Sequence, residues 1–190
     1  GISHDLKTPL TRINLMIEQL EDVDLQTSIS KNISEMNLML NHYLDFIKNE
    51  KNENFEEIET QNFIKDLTFD YSKLNLTRND SKIILIRKNQ IFRALVNILD
   101  NANKFAEKIY MSSNVSETKW VITIEDDGPG TTLSQEELVK PFTKGSDQLN
   151  QGTGLGLSIV QKLIKLNNGE LRFDGSSHGG LKVLILSLIH

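Results

Sequence analysis

Residues 120–130 read Trp120-Val121-Ile122-Thr123-Ile124-Glu125-Asp126-Asp127-Gly128-Pro129-Gly130. Trp120, Ile122 and Ile124 alternate with smaller or polar residues, the period-2 pattern of a strand buried on one side. The strand then runs into an acidic pair and the spacing Asp126-x-Gly128-x-Gly130. Glycines at a strand end let the backbone turn tightly and approach a ligand closely. Taken alone, the stretch is equally a strand-ending turn, so its meaning depends on its neighbours.

Upstream, residues 108–113 (KIYMSS) form a second strand, and residues 89–105 (NQIFRALVNILDNANKF) form a helix with Ile91, Leu95, Ile98 and Ala102 on one face. Residues 61–74 also read as helix and residues 82–86 (KIILI) as a short strand. Downstream, Ser134 followed by Glu137 is a capping box opening residues 134–140. Residues 142–153 have no period, residues 154–168 form a helix ended by Gly169, and residues 170–174 and 181–189 are closing strands around GSSHGG. Alternating strands and helices of this kind predict an α+β domain, one mixed or antiparallel sheet with its helices on one face.

Two other segments carry chemistry. Gly152-Thr153-Gly154-Leu155-Gly156-Leu157 opens the last helix, where unpaired N–H groups and the positive end of the helix dipole suit phosphate. It lacks the Lys-Ser/Thr ending of a P-loop and the third glycine of the dinucleotide fingerprint. In the central helix Asn97 and Asn101 lie four apart, with Lys104 three further on the same side. Amide oxygens suit Mg2+, which binds together with phosphates and water, and a lysine neutralises phosphate charge. These asparagines stand among Leu95, Ile98, Leu99 and Ala102, where polar groups require partners.

The N-terminal quarter follows a different period. Leu6, Leu10, Ile13, Ile17 and Leu20, then Ile29, Ile33, Met36, Leu40, Tyr43 and Ile47, mark two helical seams joined by the acidic turn EDVDLQ at 21–26. A hairpin this small cannot bury a core alone, so a homodimeric four-helix bundle is expected. Residues 48–57 read as a polar linker. His4, Asp5 and Thr8 lie within one turn of each other beside Pro9, which bends or opens the helix.

The bulk composition narrows the field. The 190 residues are 38% hydrophobic and 25% charged with a net charge of −5 and no basic block, which argues against direct nucleic-acid binding. No cysteine is present, so thiolate metal sites and disulfides are out. No apolar run reaches the length of about 18 residues needed to span a bilayer. With His4 only three positions after the first residue, the chain reads as a fragment of something longer.

In order, His4-Asp5-x-x-Thr8-Pro9, Asn97-x-x-x-Asn101, Asp126-x-Gly128-x-Gly130, Lys140-Pro141-Phe142 and Gly152-Thr153-Gly154-Leu155-Gly156-Leu157 resemble the catalytic core of a bacterial two-component sensor histidine kinase, closest to the osmosensing EnvZ type. The resemblance covers essentially the whole chain. It implies a dimerisation and phosphotransfer hairpin over 1–52 and a Bergerat-type ATP-binding α/β sandwich over 53–190. It implies ATP and Mg2+ as cofactors, autophosphorylation on His4, transfer to an aspartate of a response regulator receiver domain, and possible phosphatase activity toward that regulator. The whole protein would be an inner-membrane receptor joined through a missing N-terminal part, with this portion on the cytoplasmic side.

By the same resemblance, His4 is the phosphoacceptor, Asp5 orients or deprotonates its imidazole, and Thr8 places a water for dephosphorylation. Asp126 accepts the adenine amino group, Asn101 is the Mg2+ ligand, and Asn97 stands where hydrolysing relatives carry a glutamate. Lys104 and the amides of Gly152, Thr153, Gly154, Leu155 and Gly156 contact phosphates, beside Gly128 and Gly130. Residues 142–153 are a lid with Phe142 as hinge and Lys144 as a further phosphate contact, and Gly179 and Gly180 match the family's last glycine box. Thr131 departs from the family pattern, which has an aliphatic residue there.

Overall fold

The computed structural model describes residues 12–13, 16–17, 22–27, 29–34, 36, 53–141, 143 and 154–188. The chain divides into two compact units, Gly1–Asn52 and Glu53–His190.

In the first unit every described residue except Asp22 is helical. Ile17 and Ile33 are buried and Ile29 packs against them, which are three of the expected seam positions. The segment 21–26 is not wholly a turn. Helix resumes at Val23 because the Asp22 carboxylate accepts from Leu25 N–H at 2.9 Å, an N-cap that satisfies one of the helix's unpaired donors. Gln26 Nε2 donates to the Ile17 carbonyl at 3.2 Å and ties the two arms together.

In the second unit, elements are numbered from its own start. Strand β1 (Glu56–Glu59) pairs antiparallel with β3 (Ile83–Ile86) as a separate two-stranded ribbon. Helix α1 (Thr60–Thr68) follows β1 directly, its first turn held by the Glu59 carboxylate on Gln61 and Asn62 N–H. The main sheet has the order β2-β4-β5-β7-β6, from β2 (Leu74–Asn79), β4 (Ile109–Val115), β5 (Lys119–Asp126), β6 (Glu170–Gly175) and β7 (Leu181–Leu188). The β2–β4 pair is parallel and the other pairs are antiparallel, so the sheet is mixed.

Strands β1 and β2 fall where the sequence shows a linker and a helix end. Their residues, EEIE and LNLTRN, are too polar to show a buried face. Each lies at an edge, where charged and polar side chains are tolerated and guard against further pairing.

Helices α2 (Lys88–Phe105) and α4 (Gly156–Leu166) cover one face of the sheet, while the short α3 (Gln135–Leu138) begins with the expected capping box at Ser134 and Glu137. Ile91, Leu95, Ile98 and Leu99 of α2 and Val160, Leu163 and Ile164 of α4 are buried with Ile109, Met111, Ile122, Ile124 and Ile185 of the strands. Trp120 is fully buried, donates to Ser113 Oγ at 2.9 Å, and meets the Phe63 ring edge-on at 6.0 Å. The alternate strand residues, among them Tyr110, Thr123, Glu125, Lys182 and Leu184, are half-exposed on the other face. Among the described residues of this unit, the sheet is therefore covered by helices on one face only.

A polar latch locks the two large helices. The Glu53 carboxylate accepts from Asn89 and Gln90 N–H, capping α2 in place of a local residue. Arg87 donates to the Leu166 carbonyl at 2.7 Å, and Asn167 bonds Gln90 Oε1 at 2.8 Å. The start of α2 thus meets the end of α4, and the two helices run antiparallel. At the far end of α2, Lys73 Nζ donates to the Asn103 and Ala106 carbonyls, the favourable place for a cation on a helix dipole.

Candidate nucleotide site

Four chain segments meet at one end of the sheet. Helix α2 supplies Asn97, Asn101 and Lys104, and the end of β5 supplies Asp126 to Gly130. The start of α4 supplies Gly154 to Gly156, and the turn between β6 and β7 supplies Gly179 and Gly180. Their proximity is measured by the space left at the glycines. A Cβ on Gly156 would lie 3.8 Å from Asn97 Oδ1, and one on Gly128 would lie 3.1 Å from the Phe105 carbonyl. Asn97 and Phe105 are eight residues apart on α2, about 12 Å of helix. The glycine box at the start of α4 and the Asp126 turn therefore lie at the two ends of one helical track. That track is long enough to lay a nucleoside triphosphate along.

Asp126 is the most constrained group in the site. It is half-buried, its Oδ1 accepts from Gly128 N–H at 2.9 Å and from Leu181 N–H at 3.1 Å, and its carbonyl accepts from Gly180 N–H at 3.2 Å. Oδ2 makes no hydrogen bond among the described residues and is available to an incoming donor. Gly180 is buried against this group, and any side chain there would collide with the Asp126 carboxylate and backbone. Gly130 takes φ +68°, a left-handed conformation that favours glycine. It brings the Asp126 turn within contact of the Gly179 and Gly180 carbonyls.

The neighbouring carboxylate has a separate task. Asp127 Oδ1 accepts from Lys108 N–H at 2.8 Å and Glu107 N–H at 2.9 Å, pinning the end of β5 to the start of β4. The Lys108 bond, reinforced by Glu107 against a smaller opposing effect of burial, holds Asp127 below the usual carboxylate range. Thr131 closes the following turn with its hydroxyl oxygen, which accepts from Leu133 N–H at 3.1 Å. This contact accounts for a polar residue at that position.

Asn101 and Lys104 are exposed on the helix face they share with Asn97. Asn97 Nδ2 donates to the Arg93 carbonyl at 2.9 Å, which fixes its amide so that Oδ1 lies beside Gly156. Leu155 is buried, so its side chain belongs to the core and any ligand contact there runs through backbone. Gly154 and Gly156 flank it at the start of α4. His4, Asp5, Thr8, Phe142, Lys144, Gly152 and Thr153 lie outside the described residues.

Two neighbours of the site, Phe105 and Leu181, escaped the sequence reading, and the contact of Gly180 with Asp126 was not foreseen. Phe105, the last residue of α2, has its backbone carbonyl next to Gly128, and its 41%-exposed ring carries Lys104 Nζ 5.0 Å from its centroid. An exposed aromatic directly after Asn101-x-x-Lys104 was its only local signal. Gly180 and Leu181 reach Asp126 from 54 and 55 positions away. A hollow of about 200 Å³ lined by Lys119, Glu170, Arg172 and Ser187 lies at the opposite ends of β5 and β7 and takes no part in this site.

Comparison with known proteins follows the same geometry. Residues 86–188 match the family model described as histidine kinase-, DNA gyrase B-, and HSP90-like ATPase, and residues 1–52 match the His Kinase A (phospho-acceptor) domain. The chain is 29% identical over 188 residues to the sensor histidine kinase GtrS of Pseudomonas aeruginosa, covering 96% of this chain and 40% of that protein. It is 29% identical over 205 residues to the sensor histidine kinase CpxA of Escherichia coli, covering 97% of this chain and 45% of the relative. The chain thus spans less than half the length of these relatives. Among solved structures, the histidine kinase domain of the Escherichia coli osmosensor EnvZ matches with a TM-score of 0.57 at 27% identity, covering 74% of this chain and 92% of that one.

Proposed function

Because the chain belongs to the histidine kinase-, DNA gyrase B-, and HSP90-like ATPase family and is the catalytic core of a sensor histidine kinase, we propose that it transfers the γ-phosphoryl group of ATP to His4 and then to an aspartate of a response regulator. Residues 1–52 serve as the phosphotransfer hairpin and 53–190 as the ATP-binding domain. The observation that carries the reading is Asp126. One carboxylate oxygen is held by two backbone N–H groups and the other is open to the 6-amino group of adenine. Guanine, which carries an oxygen at that position, would meet a carboxylate with nothing to donate.

Phosphates extend from there along α2 toward Gly154, Gly156, Gly152 and Thr153, where helix N-terminal amides and Lys104 offset their charge. Lys144 adds a further cation, and the segment around Phe142 closes over the nucleotide. Asn101 offers one exposed amide oxygen, and no group of three or more His, Cys, Asp or Glu side chains able to hold a metal occurs among the described residues. That donor set fits Mg2+ shared with phosphate oxygens and water rather than a protein-caged ion. Bound there, Mg2+ supplies neutralisation of the phosphate charge. Asn97 cannot act as a general base, so a water near the γ-phosphate is left unactivated and ATP is preserved for transfer.

In the transfer, an unprotonated imidazole nitrogen of His4 forms a bond to the γ-phosphorus as the bond to the β-phosphate oxygen breaks, releasing ADP. Asp5 holds or accepts the proton on the other nitrogen. The loose phosphoryl group needs positioning and charge neutralisation more than covalent help. Thr8 orients water for the reverse task of dephosphorylating the regulator. Ile13 and Met36 are on the expected seam yet remain 43% and 52% exposed, the pattern of a hairpin completed by a second copy. The greater length of the relatives supports a place for these residues within a larger protein; that the larger protein is membrane-anchored, with this portion on its cytoplasmic side, is part of the proposal and rests on the family resemblance alone. No helix among the described residues is long and apolar enough to cross a membrane.

The test is incubation of the chain with γ-labelled ATP and Mg2+. An acid-labile, base-stable label that is absent from His4→Gln, with ATP binding retained, is expected. A label that survives in His4→Gln refutes the assignment of the acceptor.

A further inference from the structure

The carboxylate of Asp126 is shaped by a turn rich in glycine and serine. Residues 175–180 read Gly-Ser-Ser-His-Gly-Gly, and such a composition is costly to order. Its own bonds, from Ser176 N–H to the Gly180 carbonyl at 2.9 Å, from Gly179 N–H to the Ser176 carbonyl at 3.1 Å and from His178 N–H to Ser176 Oγ at 3.0 Å, close it locally. The Asp126 carbonyl and Oδ1 depend on Gly180 and Leu181 N–H from the end of this turn, so what fixes the closed turn against β5 matters to the carboxylate.

Two side-chain anchors fix it there, both on the sheet face that the helices leave open. Glu125 precedes Asp126 and points to the other side of β5. Its Oε2 accepts from Ser177 N–H at 3.1 Å and from Ser177 Oγ at 3.0 Å, and Lys182 Nζ lies 3.5 Å from Oε1. Beyond it, the His178 ring lies flat on the Tyr110 ring, with centroids 3.8 Å apart and planes inclined by 15°. Tyr110 belongs to β4, on the far side of β5 from the strand that carries the turn. The turn therefore folds across the end of β5 and is stapled on both sides of it. Gly179, at φ +102°, then returns the chain to Gly180.

We propose that the His178–Tyr110 stack, with the grip of Glu125 on Ser177, is a positioning device for Asp126 that sets adenine selectivity without touching the nucleotide. The inference rests on the reading of Asp126 as the adenine-binding carboxylate. His178 is exposed and Tyr110 half-exposed, so the stack adds little to the core and its effect falls on the turn. Releasing it frees the Leu181 N–H from Oδ1 and the Gly180 N–H from the Asp126 carbonyl, and the carboxylate, left with Gly128 N–H alone, rotates away from the orientation that leaves Oδ2 for the amino group. A stacked aromatic pair shifts such an equilibrium by about two- to tenfold.

The experiment measures ATP and GTP dissociation constants for the full chain, His178→Ala and His178→Phe, with thermal melting alongside. The expected result is that His178→Ala weakens ATP about two- to tenfold, leaves the weaker GTP binding unchanged, and so narrows the preference. His178→Phe keeps a ring on Tyr110 and restores the preference. Equal weakening of both nucleotides, unchanged affinity for both, or a His178→Phe variant as poor as His178→Ala overturns the proposal. A wild-type chain that binds ATP no better than GTP overturns the adenine reading itself and is seen before any variant is made.

Discussion

Gly180→Ala is the substitution that the site tolerates least. A Cβ at Gly180 would overlap Asp126 Oδ1 and come within 2.5 Å of the Asp126 carbonyl oxygen and 2.6 Å of Gly128 N. Ordinary contacts of carbon with these atoms need roughly 1 Å more, and two of the three atoms are backbone, so the β6–β7 turn must move. A shift of that size breaks the Gly180 N–H bond to the Asp126 carbonyl (3.2 Å) and the Leu181 N–H bond to Oδ1 (3.1 Å). The first is a neutral bond of about 0.5–1.5 kcal/mol and the second, to a carboxylate, about 1.5–3 kcal/mol. Their loss sums to about 2–4 kcal/mol, or on the order of 10 °C in the melting temperature of a domain of this size. Because the same movement unseats Asp126, ATP affinity falls by at least about tenfold. Scanning calorimetry and nucleotide titration read both effects. Gly175→Ala is the matched control, since nothing lies within 4 Å of a Cβ there and its φ is not left-handed. It should stay within about 0.5 kcal/mol of wild type. A Gly180→Ala chain that melts and binds ATP as wild type does would show that the turn does not press on Asp126.

Asp126→Asn keeps an oxygen for the Gly128 and Leu181 N–H groups but presents NH2 where adenine needs an acceptor. ATP binding should weaken by about 1–3 kcal/mol, and an unchanged dissociation constant removes Asp126 from the adenine site. Asp127 has a folded-state pKa below its unfolded value, so its contribution is present above the ordinary carboxylate pKa and lost as pH falls through the folded one. Melting temperature should therefore drop from pH 5 toward pH 3, less steeply for Asp127→Asn. The slope does not vanish, because Glu59, Asp80, Glu137 and Glu170 are also held low. An equally steep loss in the variant means that the Lys108 and Glu107 N–H bonds do not stabilise the fold.

How far the sequence could be read follows from what each element buries. Helix α2 and strand β5 each bury one face and expose the other, so Ile91, Leu95, Ile98 and Ala102 repeat with the helical period and Trp120, Ile122 and Ile124 with the strand period. Edge strands β1 and β2 bury too little to leave a pattern. The glycine and asparagine motifs were legible because their chemistry is local: a turn at Gly128 and Gly130, a helix face at Asn97 and Asn101. Leu181, Glu125 and His178 were not, because what each touches is set by the register of β5 against β7 and by the path of a turn. Glu125 pairs with Lys182 across that register, and no spacing in the chain announces that Ser177 will fold back onto it. The acidic turn at 21–26 is shorter than it reads for the opposite reason, a local one. Asp22 is a good N-cap, so the acidic run that reads as a break is the first turn of a helix.

The two ends of the site are held by different forces. At the Asn97–Gly156 end, α2 and α4 are held by a shared apolar core, and the pair is locked at the other end of α4 by the latch of Arg87, Gln90 and Asn167, whose partners lie 77 to 80 residues apart. Disturbing that end costs stability of both helices at once, because their buried faces separate together. At the Asp126 end, the shape of the carboxylate depends on a glycine-rich turn held by hydrogen bonds and one exposed ring stack. The ring stack contributes little to the core, so under the proposed reading its loss alters which base is accepted before it alters whether the domain folds. Under that reading a sequence can vary Ser177 and His178 while keeping the Asn97–Gly156 end intact, and base selectivity is the property expected to respond first.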